Sequence, residues 1–92
     1  MSDPLAPLRP RFQARCAEDL EKISALSPDA ANVPALIEIC HRLAGVAGSF
    51  GARGLSKAAS AVELAALSGA WPDKGVVSAL ILLLESEARP GQ

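Results

Sequence analysis

Residues 34–69 read PALIEICHRLAGVAGSFGARGLSKAASAVELAALSG, and the recurrence of apolar residues in them decides the fold. Leu36, Ile39, Cys40, Leu43, Ala47 and Phe50 recur at the spacing of one helix face. Leu55, Ala58, Ala59, Val62 and Ala66 do the same beyond Gly51-Ala52-Arg53-Gly54. Pro34 opens the first segment, and glycines close both, as helix starts and stops require. A connection this short makes the two helices antiparallel neighbours.

Working outward, further breakers stand at Pro4, Pro7 and Pro10, at Ser27-Pro28-Asp29, at Gly69 to Asp73 and at Pro90-Gly91. They leave four helices, near 9–26, 34–50, 55–68 and 73–88, with a short N-terminal turn capped by Asp3 ahead of them. In the first helix Phe12, Cys16, Leu20, Ile23 and Leu26 share a face, while Arg11, Arg15, Glu18, Glu21 and Lys22 are expected to face water. The last helix carries Val76, Val77, Leu80, Ile81, Leu83 and Leu84 around most of its circumference, so it is expected to be covered on several sides. The expected architecture is all-α: an antiparallel up-down-up-down four-helix bundle with a short N-terminal helix, one domain over residues 1–92 with its core at about 8–88.

Composition narrows the function. Half of the 92 residues are apolar, yet the only aromatics are Phe12, Phe50 and Trp71, so Ala and Leu must fill the core. A net charge of −1 excludes the basic stripe that nucleic-acid binding needs. No apolar run is long enough to span a membrane, and the polar N-terminus has no signal-peptide core. Cys16 and Cys40 lack metal or redox spacing and read as reduced thiols of a cytoplasmic monomer.

One constellation needs a reason beyond packing. At about 100° per residue, His41 lies about 140° from the stripe of Leu36, Leu43 and Ala47. It shares its face with Ala44, Gly45 and Gly48, so the only imidazole stands over a floor nearly bare of side chains. Each interior glycine costs roughly 0.8–1.0 kcal/mol against alanine. Close helix contact explains Gly48 in part but not Gly45, which points nearly opposite the core. About a turn centred near residue 52, position 41 faces Glu63, itself about 80° from its own core stripe. A carboxylate there can accept from Nδ1–H of His41 and leave Nε2 as an exposed nucleophile.

His41, Leu43, Gly45, Gly48, Phe50 and Gly51 resemble the phosphoacceptor helix of histidine phosphotransfer (HPt) domains from bacterial multistep phosphorelays. The resemblance spans roughly residues 8–88. It implies that His41 accepts the phosphoryl group, and that Glu63, twenty-two residues later, orients the ring as that family's Gln or Glu does. The implied function is a phosphohistidine carrier that exchanges its phosphoryl group with an aspartate of a response-regulator receiver domain, or with a hybrid sensor kinase. No cofactor or metal of its own is implied; catalytic groups and Mg²⁺ belong to the partner. Ile37, Ala44, Gly45, Gly48, Leu64 and Leu67 form the expected access and docking face. The family's usual lysine three residues after the histidine is Ala44 here, and Arg42, Arg53 and Lys57 are poorly placed to replace it.

Other readings fit less well. A metal site from Cys16, Cys40 and His41 is divided between core and water. A hydrolytic His41–Glu63 dyad has no nucleophile, because Ser49 lies off the face. The alternative of another class is a helical interaction module of HPt type that docks without accepting phosphate, which Ala44 favours.

Overall fold

Proline and glycine set the helix ends. Pro10 and Pro34 each stand in a first turn, where a missing N–H costs nothing. The computed structural model describes residues 3–88. Its helices are α1 (Arg9–Ala25), α2 (Val33–Ser49), α3 (Arg53–Ala66) and α4 (Lys74–Ala88). Short 3-10 turns at Ala6–Leu8 and Ala30–Asn32 lead into α1 and α2. The first is held by Asp3, whose side chain accepts from the Leu5 N–H at 2.9 Å and from Arg9 Nε at 2.7 Å. The Pro90-Gly91 break lies outside the described residues.

The turn between α2 and α3 is closed by backbone alone. Gly51 takes a φ of +75°, which only glycine adopts cheaply. The Gly51 N–H then bonds the Gly48 carbonyl at 3.1 Å, and the Ala52 N–H bonds that of Ala47 at 2.9 Å. This Schellman closure satisfies the last carbonyls of α2 and reverses the chain. Gly69, at φ +91°, follows the end of α3 and bonds the Ala66 carbonyl through its N–H at 3.0 Å.

The helices form a ring in which α1 packs on α2 and α4, and α3 on α2 and α4. Among the described residues no diagonal pair packs together. The Phe12 ring near the start of α1 stacks on Phe50 just past the end of α2, with centroids 4.6 Å apart, as antiparallel neighbours require. One core cluster joins Phe12, Cys16 and Ile23 of α1 to Leu36, Cys40, Leu43 and Ala47 of α2; Leu55, Ala59 and Val62 of α3 and Leu80 and Leu84 of α4 complete it.

Two expectations fail. Helix α4 is not covered on several sides. It buries Val77, Leu80 and Leu84, while Leu82 is 66% exposed and Leu83 is also exposed. A helix at the corner of a four-membered ring has only two neighbours, so an apolar outer face stays outside. Arg15 does not simply face water. It is half-buried and bonds Asp19, a charged residue buried on the core side of α1.

Candidate functional site

Because α2 turns Leu36, Cys40, Leu43 and Ala47 inward, residue 41 is turned out, midway along the helix. The His41 side chain is 74% exposed. Its Nδ1 lies 3.0 Å from Glu63 Oε2 on α3. Glu63 is held at the margin of the core, with its side chain 25% exposed. A carboxylate only accepts, so Nδ1–H donates and the neutral ring keeps its lone pair on Nε2. The hairpin register is held nearby by Ser56, whose hydroxyl crosses from α3 to donate to the Ala44 carbonyl at 2.8 Å.

The floor beside the ring is open. A Cβ on Gly45 would meet nothing within 4 Å, and one on Gly48 would sit 3.6 Å from Ser56 Oγ, an ordinary contact. Packing therefore demands neither glycine. Ala44 is half-buried, and its carbonyl takes the Ser56 hydroxyl from α3. The register that pairs 41 with 63 brings Ile37 level with Leu67. Ile37 is half-buried, whereas Leu64 and Leu67 are 71% and 64% exposed.

On the side away from α3, a groove of about 480 Å³ runs along His41, lined by Arg15, Arg42, Gly45, Val46 and Ser49. Arg42, expected to be poorly placed to replace a lysine at position 44, shares a groove with His41, with its guanidinium 3.5 Å from Glu38. Arg53 and Lys57 do not line it. Arg15 Nε donates to Asp19 Oδ2 at 3.2 Å. Burial pushes the Asp19 carboxyl up from its usual range, against the pull of Arg15. A sequence signal for Asp19 existed: positions 12, 16, 19 and 23 make one continuous core stripe.

Cys16 and Cys40 are free and buried. Burial raises their thiols to about 11 and about 12, which makes them poor ligands and poor nucleophiles. Among the described residues no group of three His, Cys, Asp or Glu side chains is placed to hold a metal ion. No helix of the described residues is long and apolar enough to cross a membrane.

No curated protein and no solved structure matches the chain. The family model of the Hpt domain matches residues 8–88, from the last residue before α1 to the end of α4. Hpt domains are histidine phosphotransfer carriers of phosphorelays. With nearly its whole length matched, the chain belongs to the Hpt domain family.

Proposed function

We propose that His41 carries a phosphoryl group on Nε2 and exchanges it with an aspartate of a response-regulator receiver domain. The observation that carries this reading is the hydrogen bond of an otherwise exposed ring to Glu63, which commits Nδ1 and leaves Nε2 to react. In the forward step Nε2 attacks the phosphorus of an aspartyl phosphate. The N–P bond forms, the P–O bond breaks, and the aspartate carboxylate leaves with the electron pair. No proton moves, because the ring keeps its Nδ1–H, and the positive charge it gains faces Glu63. The reverse step returns the group to the aspartate.

The carrier itself supplies a nucleophile and access. Mg²⁺ and the acidic residues that hold it belong to the receiver or to a hybrid kinase. Alignment inside the complex supplies most of the acceleration. Gly45 and Gly48 keep the approach to His41 flat, and Ile37, Leu64 and Leu67 offer apolar area for docking. The test mixes the protein with a phosphorylated receiver domain. Acid-labile, base-stable label on His41 is expected.

The second reading, a module that docks without accepting phosphate, draws on Ala44, which leaves no cation at the position where the family usually carries lysine. The same mixture separates the two, since that module binds the receiver and stays unlabelled.

A further inference from the structure

The groove between α1 and α2 holds two guanidinium groups that the hydrogen bond to Glu63 does not use. Arg15 comes from α1 and Arg42 from α2, and the groove they line is the one beside His41 and Gly45. No carboxylate lines it. The acidic partner of Arg15 sits behind it: Asp19, 2% exposed, takes the Nε–H at 3.2 Å. Among the described residues the terminal nitrogens of Arg15 have no protein acceptor. Arg42 is held more loosely, by an exposed pair to Glu38 at 3.5 Å. Nδ1 is committed to Glu63 on α3, so Nε2 is the ring nitrogen left without a protein partner, on a residue that lines this groove.

We infer that this groove is an anion site for a phosphoryl group, with Arg15 as its principal cation and Asp19 as the residue that positions Arg15. The inference rests on the carrier reading of His41. A planar guanidinium fixed through Nε presents its remaining N–H donors as a fork, the geometry that phosphoryl oxygens accept best. Anchoring on a buried carboxylate lowers the entropy that a free surface arginine loses on binding. Arg15 thereby brings from α1 the positive charge that Ala44 does not provide on α2. Ser49 adds no donor, because its hydroxyl already serves the Gly45 carbonyl at 3.1 Å.

The test phosphorylates the whole chain with phosphoramidate, a small donor that needs no partner, and follows the ³¹P resonance through a pH titration. A nearby cation favours the dianion, so the second ionisation of the phosphoryl group is expected to rise by about 0.5 pH unit or more in Arg15→Gln. Arg42→Gln is expected to move it less, and Arg15→Lys to restore part of the difference. The Arg15 Nε–H resonance is expected to shift on phosphorylation of the unaltered protein. Because Arg15→Gln leaves Asp19 without its partner, Arg15→Gln/Asp19→Asn is measured beside it, with helicity followed by circular dichroism. The double variant is expected to raise the ionisation in the same direction. A phosphorylated His41 whose ionisation is the same in all variants overturns the arginine site and leaves the carrier standing. Failure of the unaltered protein to take label on His41 overturns the carrier reading and the site with it.

Discussion

At the imidazole of His41 the bond to Glu63 decides which nitrogen is left to react. Without a partner a neutral imidazole in water prefers the proton on Nε2; an acceptor fixed at Nδ1 reverses that preference. In the unaltered protein the ¹⁵N spectrum of the neutral ring is expected to report Nδ1–H. Glu63→Ala is expected to return the ring toward Nε2–H and to slow phosphoryl exchange without abolishing it. An Nε2–H ring in the unaltered protein would contradict the pairing. Glycine is the other lever at this scale, and two positions are expected to respond with opposite signs. Gly45→Ala meets open space inside a helix, so stability is expected to rise by about 1 kcal/mol. Gly51→Ala forces a Cβ into a φ of +75°, so stability is expected to fall by about 1–2 kcal/mol. Chemical denaturation of both variants checks the pair. A destabilised Gly45→Ala would show that packing, not access, requires that glycine.

The elements whose ends carry proline or glycine were legible from the chain alone. Pro10, Pro34, Gly51 and Gly69 bracket helices that begin and end within two residues of the sequence expectation. The register of the α2–α3 hairpin was legible too, because a turn of so few residues leaves little freedom in which positions face each other. What was not legible depended on partners that no local pattern names. Helix α4 reads as apolar all round, but apolarity does not say how many neighbours a helix has, and its Leu82 and Leu83 stay exposed. Arg15 reads as a solvated residue, because charge normally marks the wet face, and Asp19 went unread for the same reason although it continues the stripe of Phe12, Cys16 and Ile23. Only the packing of α1 against its neighbours shows that Arg15, tied to the buried Asp19, borders the groove by His41. Ser56 was missed for a similar reason. Its hydroxyl leaves its own helix to bond the Ala44 carbonyl, and Ser56→Ala is expected to cost about 1 kcal/mol in the same denaturation measurement.

For the molecule as a whole, the ring of helices buries both thiols while holding one imidazole outside. The burial has a consequence at high pH. An unperturbed thiol ionises near 9.0, but in the fold Cys16 and Cys40 keep their protons to about 11 and about 12. As pH rises through 9.0 the unfolded chain therefore loses protons that the native state retains, and stability falls. The denaturation midpoint is expected to decline from about pH 9 upward, and to decline less in Cys16→Ala/Cys40→Ala. Native thiols are expected to resist alkylation until the chain unfolds. The exposed imidazole stands apart from this core, so replacing it should leave the bundle intact. That separation makes the central claim testable by one measurement: phosphoryl uptake by His41→Gln from a phosphorylated receiver domain, beside the unaltered protein. The expected result is acid-labile label on the unaltered protein and none on the variant, with helicity and melting temperature nearly unchanged. Acid-labile label that persists on folded His41→Gln would contradict it.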